Sequence, residues 1–275
     1  MSITSGAAAA ARVPSTPRAA AGGGAEPSRF PMDRPPRPAA ARPERRLDRP
    51  VRLVVWGFAG TVVDSYGAIR QAADRALANH GLPRADEVIL RSSIGLSLDR
   101  IFGRLVYHLP PDAALIASLV AAYRDAYRTA APQRARLVPG IDALLADLDE
   151  HGIVSALASS EPRSGLELLL DRLDIAGRFA AVVCDEDVSR HHRTPHPEVV
   201  LRACRALGHE PADAVVIGDT VFDVEMGHGA GTATIGVTWG NQSRRDLAEG
   251  SPTHLVDDVD ELGSLLRAST VGVLA

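Results

Sequence analysis

The sequence predicts an α/β fold, a parallel sheet covered by helices on both faces, with a helical segment inserted after the first strand. Three features predict it. Short apolar runs alternate with amphipathic segments from residue 153 onward, the pattern of strand–helix–strand units. The first apolar run, Arg52–Trp56, is stopped by Gly57 and reads as a buried parallel strand. Between that run and the next one lies a stretch, about Tyr66–Arg136, with only helical periodicity. The arrangement is that of a Rossmann-like core (residues 51–65 and 137–275) with an α-helical cap (66–136).

The elements follow in order. In Asp112–Ala131 the residues Leu115, Ile116, Leu119, Val120, Tyr123 and Tyr127 recur at three and four, which places both tyrosines in packing. Ile141–Glu150 repeats the helical period and is stopped by Gly152. Ile153–Ala158 reads as a strand, and Pro162 opens a helix carrying Leu166, Leu169, Leu170 and Leu173. Ala181–Cys184 is a strand, and Pro197–Leu207 a helix ended by Gly208 with Cys204 on its apolar stripe. Ala214–Ile217, Thr232–Val237 and His254–Val256 read as strands, with helices over Val221–Ala230 and Asp258–Leu266.

Residues 1–50 differ from this body. They hold nine Pro, twelve Ala and nine Arg against four acids, too few large apolar side chains to fold alone, so disorder is expected. Ala7–Ala11 is too short for a secretory apolar region. Other readings of this stretch are a transit peptide, a basic interaction arm, or translation starting near Met32. The whole chain of 275 residues carries a net charge of −4, which argues against a nucleic-acid partner. No apolar run reaches the length of about 18 residues that a membrane span needs. Two cysteines cannot build a disulfide framework, and a reducing cytoplasm is the expected setting. All 30 basic residues are arginine, so no chemistry here rests on a lysine amine.

Ligands bind such folds at the carboxyl ends of the strands. Four segments there carry polar chemistry: Gly57-Phe58-Ala59-Gly60-Thr61-Val62-Val63-Asp64-Ser65, Ser159-Ser160-Glu161-Pro162-Arg163, Arg193-Thr194-Pro195-His196-Pro197 and Gly218-Asp219-Thr220-Val221-Phe222-Asp223. With Ile235-Gly236-Val237-Thr238-Trp239-Gly240, they make the body resemble the haloacid dehalogenase-like (HAD) hydrolase superfamily, in its phosphoglycolate phosphatase-like branch with a helical cap. The resemblance spans about Val51 to Leu266.

That resemblance implies phosphoryl transfer through an aspartyl-phosphate. The family's first strand ends in Asp-x-Asp-Gly-Thr: the first Asp attacks phosphorus and the second works as acid and base. A Ser or Thr after the second strand holds phosphate, a Lys before the third core helix balances charge, and acids after the fourth strand hold Mg²⁺. Gly60-Thr61 and Asp64-Ser65 set the register here without gaps. Gly57 then stands at the nucleophile position, Ala59 at the acid/base position and Thr194 at the lysine position. Glycine offers no atom to attack phosphorus and alanine cannot move a proton. Loss of a nucleophile costs on the order of 10⁶ in turnover.

What remains on the resemblance is Gly60, Ser159, Ser160 and Arg193 for phosphate, and Asp219 and Asp223 for a weakened Mg²⁺ site. Arg193 otherwise reads as a solvated loop arginine. The serines, Asp219 and Thr220 otherwise read as helix caps. Asp64 is expected to cap the helix that follows it, and His191, His192 and His196 to be exposed loop histidines. Arg91 and Ser93 in the cap are read mainly as a helix connection. The leading expectation is a phosphatase-like chain without normal turnover that binds a small phosphorylated ligand or serves a regulatory role. The alternatives are an active Mg²⁺-dependent hydrolase of a small phosphate monoester such as 2-phosphoglycolate, and a protein-interaction module with a relic pocket.

Overall fold

A computed structural model describes residues 47, 49–110 and 112–270. Apart from Leu47, Arg49 and Pro50, the stretch expected to be disordered lies outside the described residues.

In chain order the body begins with β1 (Leu53–Trp56) and β2 (Val63–Asp64), followed by α1 (Tyr66–Asn79), α2 (Glu87–Arg91), α3 (Leu98–Leu105) and α4 (Ala113–Arg134). Then come β3 (Arg136–Leu137), α5 (Ile141–Glu150), β4 (Val154–Ser159), α6 (Arg163–Arg172), β5 (Ala181–Cys184) and α7 (Glu198–Leu207). The chain continues through β6 (Ala214–Gly218), α8 (Val221–Ala230), β7 (Ala233–Val237), α9 (Arg244–Glu249), β8 (His254–Val256) and α10 (Val259–Thr270). Six strands form one sheet in the order β5-β4-β1-β6-β7-β8, and every pairing in it is parallel.

The alternation of a strand explains the two-sided core. Val54 and Trp56 face one apolar cluster together with Val215 and Ile217 of β6. Leu53 and Val55 face the other, with Ala214 and Val216. The second cluster is closed by Val199, Val200, Ala203 and Cys204 of α7 and by Met226 and Ala230 of α8. Both cysteines are free and buried, and burial pushes the Cys184 thiol up to about 12. The first cluster is closed by α5, α6 and α10, and it continues into the helices inserted after β2.

That insertion is bracketed by a pair of two-residue strands absent from the sequence reading. β2 and β3 run antiparallel, Val63 opposite Leu137 and Asp64 opposite Arg136, so the chain leaves and re-enters the sheet layer at one place. Two-residue strands carry no hydrophobic period. Within the insertion Phe102 meets Tyr123 edge-on at 5.8 Å, and Tyr123 stacks on Tyr127 at 5.5 Å. Arg91 lies over the Tyr66 ring at 3.6 Å, and Ser93 Oγ donates to Ile89 O at 2.6 Å, which ties both into the helix connection.

Local chemistry sets several helix ends. Asp112 caps α4 by accepting from Ala114 N and Leu115 N, and Gly208 ends α7 in the left-handed region. One expected cap is corrected. α1 starts after Ser65, while Asp64 belongs to β2 and accepts from Tyr66 N at 3.3 Å. Strand pairing holds its backbone one residue short of the cap position. No helix among the described residues is long and apolar enough to cross a membrane.

Candidate active site

All six strands of the sheet are parallel, so their carboxyl ends share one edge, and the polar segments meet there. A cleft of about 660 Å³, its open mouth included, lies between this edge and the inserted helices. Gly57, Ala59, Ser159, Thr194, Asp219 and Asp223 all line it. The folding therefore brings together the six positions that the register assigned to nucleophile, acid/base, phosphate hydroxyl, lysine and metal acids.

At the tip of β1, Gly57 N donates to Ile217 O at 2.8 Å, so the backbone continues the ladder into the turn. A Cβ at Gly57 would meet Thr61 Oγ1 at 3.2 Å and Asp223 Oδ1 at 3.3 Å, with no left-handed backbone to forbid it. Gly60 is different. Its φ is +92°, and a Cβ there would stand 2.1 Å from Asp219 Oδ2. Gly60 thus permits the turn and the close approach of Asp219, and it does not line the cleft as a phosphate contact.

At the tip of β6, Asp219 is buried and fully engaged. Its Oδ1 accepts from Thr61 Oγ1 at 2.9 Å. Its Oδ2 accepts from Asn241 N at 2.7 Å and from Asn241 Nδ2 at 2.8 Å. The same Nδ2 donates to Ala59 O at 3.2 Å, so one carboxamide bridges the tips of β6 and β1. Burial raises the Asp219 carboxyl above its ordinary range, and these hydrogen bonds work against that. Asp223 sits one turn along. Thr220 caps α8 in a capping box, and its N and Oγ1 donate to Asp223 Oδ2 at 3.1 and 2.6 Å. Burial and the nearby Asp219 push Asp223 up to about 7.

A further acid joins the cleft that the sequence reading named only in passing. Glu161 is buried, and Tyr127 Oη hydrogen-bonds both of its oxygens at 2.9 and 3.0 Å. Burial pushes its carboxyl up to about 7, against the Tyr127 bond. Tyr127 comes from α4 and Glu161 from the turn after β4, so this pair ties the insertion to the sheet. Tyr123 and Tyr127 pack as expected and also line the cleft. An acid next to the serines of β4 was the available signal. Nothing in the sequence pointed to Asn241.

The expected phosphate contacts are only partly gathered. Ser159 and Ser160 line the cleft, but neither caps α6: Pro162 holds that position, and Ser159 Oγ accepts from Glu161 N at 3.1 Å. Arg193 does not line it. It faces a neighbouring recess with Asp185, Arg124 and Asp99, and its Nε is buried without a partner. At the lysine position Thr194 N and Oγ1 both donate to Asp185 Oδ1 at 2.9 Å. Asp185 Oδ2 is left buried without a partner. His191 and His192 are exposed, whereas His196 is half-buried, stacked on His192 at 4.4 Å and accepting from Glu198 N at 3.1 Å.

The Mg²⁺ implied by the resemblance can be tested on this donor set. Mg²⁺ demands a near-octahedral set of oxygens at roughly 2.0–2.1 Å. Here position 57 carries no carboxylate, both oxygens of Asp219 already accept hydrogen bonds, and an N–H₂ group stands between Asp219 Oδ2 and Ala59 O. Among the described residues no three His, Cys, Asp or Glu side chains are grouped to hold a metal ion. As arranged, the residues are those of a hydrogen-bonded carboxylate and do not fit Mg²⁺.

Comparison with known proteins agrees with the architecture. Residues 54–237 match the family model described as haloacid dehalogenase-like hydrolase. The chain is 34 % identical over 212 residues to a probable phosphatase, IndB, of Dickeya dadantii, covering 76 % of this chain and 91 % of that one. It is 28 % identical over 219 residues to the phosphoglycolate phosphatase of Yersinia pseudotuberculosis, covering 78 % and 94 %. Among solved structures, a predicted phosphatase from Clostridium acetobutylicum superposes with a TM-score of 0.71 at 25 % identity, covering 80 % of this chain and 99 % of that one. With the sheet order, the helical insertion and the strand-end segments in place, this chain belongs to the haloacid dehalogenase-like hydrolase family.

Proposed function

We propose that this chain is a phosphatase-like member of the family that holds a small ligand in its strand-end cleft without turning over phosphate esters. The observation that carries the reading is the tip of β1, where Gly57 and Ala59 line the cleft with no side-chain atom able to accept a phosphoryl group or move a proton. The family's phosphatases generally use Mg²⁺, and the hydrogen-bonded state of Asp219 supports a cleft that works without it. The retained cleft, its buried acids and its aromatic wall support a binding role over a relic surface.

One observation favours a second reading, residual hydrolysis. Asp223 Oδ1 lies 3.3 Å from where a Cβ of residue 57 would stand, so a carboxylate leans into the space that the nucleophile would fill. Against it, Oδ2 is fixed by Thr220, and burial beside Asp219 raises the carboxyl above its ordinary range, which favours the neutral form over a nucleophilic carboxylate.

The test is hydrolysis of generic phosphate monoesters and 2-phosphoglycolate, with and without Mg²⁺, by wild type, Asp219→Ala and Asp223→Asn. The proposal expects no turnover above buffer, or a trace equal in all three proteins. Turnover in the wild type that disappears in Asp223→Asn or Asp219→Ala establishes the second reading instead.

A further inference from the structure

We propose that the recess beside the cleft is a second binding site, one that takes a small α-amino acid as its zwitterion. The recess measures about 360 Å³, its open mouth included, and lies where α3 and α4 meet the turn after β4 and the loop before α7. It adjoins the cleft, since Leu98, Ser160 and Pro162 line both.

The first ground is the state of its charges. Arg124 pairs with Glu186 at 3.1 Å, and Asp99 with Arg190 at 2.9 Å. One cation and one acid of the lining are left over. The Arg193 guanidinium forms no hydrogen bond or ion pair among the described residues, and its Nε is buried. Asp185 is 4 % exposed, and its Oδ1 accepts from Thr194 N and Oγ1 while its Oδ2 is buried without a partner. The two do not satisfy each other. Burial raises the Asp185 carboxyl, and the Thr194 bonds and the Arg193 charge work against that, so the guanidinium stands near enough to be felt without touching. Buried polar atoms without partners are uncommon in folded proteins, and a buried unpaired charge is costlier still. An open donor and an open acceptor at one recess call for a ligand that carries both.

The second ground is what such a ligand must be. A lone anion answers Arg193 and adds negative charge beside buried Asp185, and a lone cation does the reverse. A neutral amide meets both hydrogen bonds and neither charge. An α-amino acid sets its carboxylate on the guanidinium, whose planar fork suits it, and its ammonium on Asp185 Oδ2, so both bonds are charge-assisted. Ser160 serves the carboxylate end, since its Oγ has no partner among the described residues. Leu98 and Val120 lie in the same wall and offer apolar surface to the ligand's side chain. No contact in this set belongs to the tips of β1 and β6, so the inference stands apart from the question of turnover.

The full chain is titrated with L-alanine, L-leucine, sodium propionate, n-propylammonium chloride and propionamide at matched ionic strength, reading melting temperature and heat of binding, with NaCl as reference. A ligand that binds only the native state raises the melting temperature by mass action. At least one of the amino acids is expected to raise it saturably, and the other three compounds to match NaCl. Asp185→Asn keeps Oδ1 for Thr194 and removes the charge, and Arg193→Met keeps the stem and removes the guanidinium. Each is expected to weaken amino-acid binding at least tenfold, while Arg245→Met, at an exposed position of α9, leaves it unchanged. If Asp185→Asn folds poorly, Arg193→Met decides alone. No effect of either amino acid assigns the two open atoms to water and overturns the proposal. Equal binding by wild type and the folded recess variants overturns it too, as does propionate, propylammonium or propionamide binding as tightly as the amino acids. Ester hydrolysis by the same proteins is a separate readout: turnover removes the proposed function and leaves this site standing, whereas absent binding with absent turnover removes only this inference.

Discussion

The tips of β1 and β6 lie side by side in the sheet, Trp56 opposite Ile217, and carry different chemistry. The β6 tip carries two acids, Asp219 and Asp223, both buried and hydrogen-bonded. The β1 tip carries Gly60 and Thr61, which build the turn, and has Gly57 and Ala59 where the resemblance implies carboxylates. The residues kept at β1 are those the β6 acids need: Thr61 donates to Asp219, and Gly60 makes room for it. A carboxylate with structural partners costs stability when removed, whereas one that only faces a ligand leaves open space behind.

The largest change expected is restoration. Gly57→Asp with Ala59→Asp, and with Thr194→Lys added, should raise monoester hydrolysis in the presence of Mg²⁺ by at least about 10³-fold, a fraction of what a nucleophile is worth in a covalent mechanism. The Cβ contacts of 3.2 and 3.3 Å at position 57 ask only small adjustments. A well-folded triple variant with no activity would mean that the β6 acids are locked too firmly by Asn241 to serve.

Next comes a contrast between two glycines three residues apart. Gly60→Ala should lower unfolding free energy in urea by about 3 kcal/mol or more, because it adds a clash with Asp219 to a left-handed backbone. Gly57→Ala should stay within about 1 kcal/mol of wild type. Equal effects at the two sites would break the division between fold-bearing and chemistry-bearing positions.

The third concerns pH. Glu161 has an ordinary value of 4.5 that burial raises to about 7 in the folded chain. Between those values the native state holds the proton and the unfolded state does not, so stability is full below about 4.5 and falls as pH rises through 7. Glu161→Gln should flatten part of that fall, by at most a few kcal/mol between pH 5 and pH 8. Asp223, also raised to about 7, contributes in the same sense. Urea titrations at the two pH values decide it, and an unchanged slope in Glu161→Gln would exclude a proton held there. The smallest effect belongs to Asp64→Ala, whose exposed carboxylate accepts only from Tyr66 N at 3.3 Å. It should change stability by no more than about 0.5 kcal/mol.

Much of this was readable along the chain. α5 falls at the residues that its period and glycine stop indicate, α7 starts one residue after the expected Pro197 and ends at Gly208, and the strand-end register needed only Gly60-Thr61 and Asp64-Ser65. The unread parts share a cause. β2 and β3 are too short to show a period and form because they meet each other across the inserted helices. Asn241 lies 22 residues from Asp219, and Tyr127 lies 34 from Glu161. Arg193 is beside Thr194 in sequence but opens into a different recess. Neighbours in a loop share no face by rule, so spacing carries no information about where such a side chain ends.

Side-chain chemistry at a given register is a local property: that residue 57 has no side-chain atom to attack phosphorus is true in any conformation, and it follows from the letters alone. Which acceptor a donor finds is a property of packing. Only the folded chain places the Asn241 carboxamide between Asp219 and the Ala59 carbonyl. Only there do three acids and an aromatic wall share one cleft. Burial favours those pairings, since a polar group taken from water costs free energy unless the tertiary arrangement brings a partner within reach.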